Sequence, residues 1–176
     1  MSLNVLVIPF LLAFLSAIMA KKEKTVQASS LFFSIVGGLA LIFYAIPFIF
    51  HAKNQWMNAW WRMDSLSALM IVLIACVYLF SLIVSVRYIG HEYKEKIITF
   101  FQYKMYFALF QLFVLCMLMT VLANNVLLLW LTLEGTTLAA TFLVGLYRKK
   151  TSMEAAWKYM ILCSTGISLG LLGILL

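Results

Sequence analysis

The stretch "LLLWLTLEGTTLAATFLVG", residues Leu127 to Gly145, is apolar enough to lie in lipid, yet it carries one carboxylate, Glu134. A charged residue near the middle of a bilayer costs about 2.5–3.5 kcal/mol on insertion scales and more in simulations. Such a group must be paired, wetted or protonated. Burial disfavours its ionised form and a nearby cation favours it, so a carboxyl held between those two pulls is suited to taking up and releasing a proton. In a helix, Trp130, Leu138, Thr141 and Gly145 fall within about 40° of Glu134, and Thr137 lies a little further round. This stripe combines a carboxylate, two lining hydroxyls (Thr137 and Thr141) and a glycine, so it is expected to face other helices or a water-filled cavity. The plainer alternative is that Glu134 hydrogen-bonds a neighbouring helix.

Other ionisable groups have more local readings. Lys158 stands near the start of an apolar run with Glu154 four residues before it, a spacing that suits a surface ion pair; a deeper relay role is the alternative. Asp64 opens an apolar run, where a helix cap competes with a functional role. Cys76, Cys116 and Cys163 each stand alone among apolar residues, and neither His51 nor His91 has a ligand-spaced partner. Small packing residues are the simplest account of the cysteines. The sequence therefore offers no metal site, no cofactor motif, no phosphate loop and no nucleophile–base pair. An intramembrane enzyme would need a second carboxylate or a nucleophile at membrane depth, and Glu134 stands alone.

The elements that must hold these residues follow from composition. Of 176 residues, 65% are hydrophobic and 11% charged, against roughly 45–50% and 25% in globular chains. The formal net charge of +7 sits in short clusters between apolar runs, a membrane pattern and not a nucleic-acid one. Six runs approach the ~20 residues that span a bilayer core: roughly 3–20, 29–50, 65–87, 105–123, 126–147 and 157–176. They predict an all-α polytopic membrane bundle in one domain. Spanning strands are excluded by run length and by the absence of alternation. The first twenty residues contain no Lys or Arg and "KKEK" follows them, which predicts a retained span and not a signal peptide.

Lys21, Lys22, Lys24, Arg87, Lys94, Lys96, Lys104, Arg148, Lys149, Lys150 and Lys158 lie on the odd connections, leaving Lys53 and Arg62 for the second and none for the fourth. The positive-inside rule then places the odd connections in the cytoplasm and the N-terminus outside, in an inner membrane. "HAKNQWMNAWWRMD" reads as an interfacial segment, and "GHEYKEKIITFFQYK" as an amphipathic turn lying on the surface. Cys163, Gly166, Gly170 and Gly173 share a face that suggests close helix packing. The closing "GISLGLLGILL" has no polar cap, from which a fragment of a longer protein, or a truncated reading frame, is expected.

"MDSLSALMIVLI", "VLANNVLLLWLTLEGTTLAATFLVGLYR" and "EAAWKYMILCSTGISLGLLG" resemble the antiporter-like membrane subunits of the complex I superfamily. Within it the nearest likeness is to the F-type subunits of hydrogenase 4 and formate-hydrogenlyase-type complexes. NADH–quinone oxidoreductase subunits and multisubunit cation/proton antiporters are more distant. The resemblance runs from about Asp64 to the end. It implies the N-terminal part of a fold of about fourteen helices in two inverted repeats, and a proton-coupling role for Glu134. In the family that acid works with a lysine on the seventh helix, beyond the six helices read here. It also implies other membrane subunits, a peripheral hydrogenase or redox arm, and protons or Na+ as cargo, with the redox chemistry in other subunits. An assembly or scaffold protein with no transport role is the alternative of a different class.

Overall fold

The computed structural model describes residues 4–19, 23–50 and 56–176, with side chains from residues 7, 27 and 57 of those stretches onward. The lysines at 21, 22 and 24, His51 and Lys53 fall outside the residues whose side chains are described. Six helices follow one another: α1 (Asn4–Met19), α2 (Glu23–Phe50), α3 (Ser65–Lys94), α4 (Phe100–Leu122), α5 (Val126–Val144) and α6 (Lys150–Leu175). A 3-10 turn, Gly145–Tyr147, closes α5. From α2 onward the helices are long and apolar enough to cross a membrane; α1, with 16 residues, is shorter, about 24 Å at 1.5 Å per residue. The chain is an all-α multi-pass membrane bundle.

Packing follows chain order, with α4 in addition lying against α1 and touching α2. Between lipid-soluble helices there is no strong hydrophobic drive to associate, so close approach and interhelical hydrogen bonds must hold them. Both are present. Phe10, Ala13 and Ala17 bury the face of α1. A Cβ at Gly38 would come 2.8 Å from Leu79 Cδ2, so α2 and α3 approach closely there and a larger residue would make the Leu79 side chain shift. The core between α1, α2, α3 and α4 collects Phe10, Leu41, Ile71, Tyr78, Leu115 and Leu118. Large apolar side chains on the outer faces, such as Phe43 and Phe80, are exposed, as lipid-facing residues must be.

Helix ends run beyond the expected bounds. α3 continues to Lys94 and α4 begins at Phe100, so "GHEYKEKIITFFQYK" is not a segment lying on the surface. It forms two helix ends and a tight turn, with the Tyr93 ring in contact with both Phe100 and Tyr103. Thr99 and Gln102 make a reciprocal capping box that starts α4. Across the bundle, residues 56–63 form a two-stranded hairpin, β1 (Trp56–Met57) and β2 (Arg62–Met63). It is clasped to the α4–α5 link by Asn124 N–H to Trp60 O (3.0 Å) and Asn124 Nδ2 to Asn58 O (2.8 Å). Asn125 then caps α5 by accepting from Leu127 N.

The face of Gly166, Gly170 and Gly173 is open: a Cβ built at any of them meets no described atom within 4 Å. The expected close packing there is absent among the described residues. α6 rests on α5 and its closing turn, with Ala156 as its buried residue.

Candidate functional site

Glu134 lies at the ninth position of α5, about 12 Å along the helix. It is half-buried. Ser164 Oγ, on α6, donates to Glu134 Oε1 at 2.5 Å. Glu134 Oε2 is buried without a hydrogen-bond partner, and so is Trp130 Nε1, one turn away. The site thus presents a carboxylate oxygen and an indole N–H, neighbours on one helix face, with no partner among the described residues. Buried polar groups left in this state ask for a donor and an acceptor from elsewhere, such as ordered water or a further side chain.

The position of Ser164 follows from the hairpin. Residues 134 and 164 stand almost equally far from the turn at Arg148, so antiparallel packing of α5 on α6 brings them level. That register is legible in the sequence, but the glycines around Ser164 are the stronger signal there. Thr137 and Thr141 are buried. Their hydroxyls donate down their own helix, Thr137 to Glu134 O (2.8 Å) and Thr141 to Thr137 O (2.7 Å), the usual recourse of a hydroxyl in an apolar helix. Neither touches the carboxyl.

The secondary candidates lie apart from Glu134. Lys158 Nζ pairs with Glu154 Oε1 at 2.5 Å, and both side chains are mostly exposed. Asp64 caps α3, accepting from Ser67 N at 2.8 Å, and pairs with Arg62 Nη2 at 3.0 Å. The Ser67 N–H is the main influence that holds its carboxyl below the ordinary 3.8, and the Arg62 charge adds to it. Cys76, Cys116 and Cys163 are free thiols. Among the described residues no group of three His, Cys, Asp or Glu side chains is disposed to hold a metal.

Two polar features escaped the sequence reading. Glu92 lies within the α3 span, buried, and its Oε2 accepts from Tyr147 Oη at 2.6 Å. Glu134 is therefore not the only carboxylate in a spanning helix. Glu92 was lost among the charges of a supposed loop, although Tyr78, Leu82, Ser85, Ile89 and Glu92 mark one buried face at helical spacing. The second feature is a chain across three helices: Tyr78 Oη donates to Gln111 Oε1 (2.7 Å), and Gln111 Nε2 donates to Ser34 Oγ (2.6 Å). Gln111 and Ser34 are fully buried.

Residues 123–176 match the family described as NADH:quinone oxidoreductase/Mrp antiporter, transmembrane. That stretch contains Glu134, Trp130 and Ser164. Over 142 residues, 81% of this chain, the sequence is 32% identical to the hydrogenase-4 component F homolog of Methylacidiphilum infernorum (isolate V4). The match and the identity together support an antiporter-like membrane subunit of the complex I type. It aligns with 28% of that relative's length. Within this antiporter-like chain, the family-matched stretch is α5 and α6 themselves, the pair joined by the Glu134–Ser164 hydrogen bond.

Proposed function

We propose that the chain is part of a proton- or cation-translocating membrane subunit of a redox-driven, hydrogenase-4-like complex, with Glu134 as its coupling acid. The observation that carries this reading is the state of the Glu134 carboxyl. One oxygen is held by Ser164, and the other is buried, unpartnered and beside an unpartnered indole N–H. A carboxyl used only to pin two helices would gain nothing from that second orphan oxygen, since a buried unsatisfied acceptor is destabilising by about 1–3 kcal/mol. A carboxyl that exchanges protons with a water or a further side chain needs it.

In this reading Glu134 takes and releases the proton. Ser164 orients it by donating to Oε1. Trp130 stands ready to hold a water against Oε2. Redox chemistry belongs to other subunits of the complex. The basic clusters at Arg87–Lys104 and Arg148–Lys158 face the cytoplasm of an inner membrane, with the N-terminus outside. The NADH–quinone and multisubunit antiporter branches are the neighbouring alternatives, and the likeness to a hydrogenase-4 component F homolog favours the hydrogenase branch.

A second reading has one observation in its favour: the Ser164–Glu134 bond links α5 to α6, which buries little else. There Glu134 would serve assembly. A pair of substitutions in the assembled complex decides between them. Glu134→Gln keeps hydrogen bonding but cannot ionise, and Glu134→Leu removes both. Loss of ion movement in Glu134→Gln with assembly intact supports the coupling role. Intact ion movement in Glu134→Gln, with assembly lost in Glu134→Leu, establishes the scaffold.

A further inference from the structure

We infer that the groove between α4, α5 and α6 at the basic end of the bundle is a binding site for an anionic phospholipid. It is a cavity of about 580 Å³, within the size of small-molecule sites. Met105 and Leu109 of α4 form one wall, Trp157 and Met160 of α6 the other, Thr141 the floor, and Arg148 the mouth. From Met153 to Met160 the groove runs about 10 Å along α6, parallel to the helices and so to the acyl chains of a bilayer.

Three observations select the ligand. First, the interior offers little to a polar head. Thr141 Oγ1 already donates to Thr137 O, and Gln102 Nε2, at the rim, already donates to Leu146 O. A quinone ring or a polar solute would find its hydrogen bonds spoken for, whereas a hydrocarbon tail needs none. Second, the mouth is cationic. Arg148, Lys149 and Lys150 are exposed, and the ion pairs among the described residues include none of them. Third, Arg148 occupies a left-handed conformation, φ 52°, where glycine or asparagine is the ordinary choice. A guanidinium kept there, at the head of an apolar groove, sits level with the phosphate of a lipid whose tail fills the groove. Each basic residue near a membrane surface favours an anionic lipid by about five-fold.

The test is native mass spectrometry of the whole chain in detergent, exposed to equimolar phosphatidylglycerol and phosphatidylcholine. The wild type is expected to retain one phosphatidylglycerol with at least five-fold preference over phosphatidylcholine. Arg148→Asn suits the local backbone and leaves the fold intact; it is expected to reduce that preference about five-fold. Met105→Trp narrows the groove and is expected to reduce retention of either lipid. Equal retention of the two lipids by the wild type overturns the proposal, as does an Arg148→Asn chain with unchanged preference. So does an empty groove in which Met160→Cys cross-links to another polypeptide, since that outcome assigns the groove to a protein segment.

Discussion

At the scale of single residues, the same side-chain type serves three different ends. Glu134 is half-buried in mid-helix with one free oxygen, Glu92 is buried against Tyr147, and Asp64 stands at a helix start. Asp64 gives a clear pH dependence. Its carboxyl titrates below the ordinary 3.8 in the folded chain. The stabilisation it brings is therefore complete above pH 3.8 and is lost as pH falls through the lower folded value. Asp64→Asn keeps a good cap and removes the charge, so it should flatten this part of the acid unfolding curve. Asp64→Ala should lose about 1 kcal/mol at neutral pH. Unfolding by detergent titration at neutral pH and below 3.8 checks both. An acid profile unchanged in Asp64→Asn would show that other groups govern it. The cap itself was legible in "MDSLSALM", because Asp followed by an apolar run is a helix start. Ser164 was not, because a serine among glycines gives no sign of its role until the register of the hairpin is known.

At the scale of the helices, apolar run length placed all six elements but not their ends. α3 gains two turns and α4 begins five residues earlier than expected because long amphipathic side chains, such as the exposed Tyr88, His91 and Lys94 on α3, extend helices past the hydrocarbon while keeping their heads wet. The small hairpin at residues 56–63 was hidden by its tryptophans, which signal an interface and not a strand. The Tyr78–Gln111–Ser34 chain was hidden as well, since a single glutamine in "YFALFQLFVL" reads as a tolerated exception. Its geometry gives it a larger part. Gln111 is fully buried and bonded to α2 and α3 at once. Gln111→Leu should destabilise the bundle by about 1–2 kcal/mol, from two interhelical hydrogen bonds of about 0.6 kcal/mol each. A denaturation series of the single and double variants with Tyr78→Phe would measure it. If Gln111→Leu is neutral, the chain contributes nothing to stability and its role lies elsewhere.

At the scale of the whole molecule, the charge pattern and the open face of α6 carry the account. Basic residues gather at one end of the bundle, around the α3–α4 and α5–α6 turns, and the other end bears the tryptophan-rich hairpin. Cysteines introduced at Lys150 and at Trp60 should react with a membrane-impermeant thiol reagent from opposite sides, Lys150→Cys from the cytoplasm. Labelling of both from one side would overturn the topology. The two unpartnered atoms at the site, Glu134 Oε2 and Trp130 Nε1, leave the carboxyl open to a group that a larger assembly or bound water supplies. The central claim is that Glu134 changes protonation as ions move. Infrared difference spectroscopy of the working complex reads this directly through the carbonyl stretch of a protonated carboxylic acid. We predict a carboxyl band that appears and disappears with turnover in the wild type and is missing in Glu134→Gln. A turnover spectrum with no such band, or one that survives in Glu134→Gln, would contradict the coupling role of Glu134.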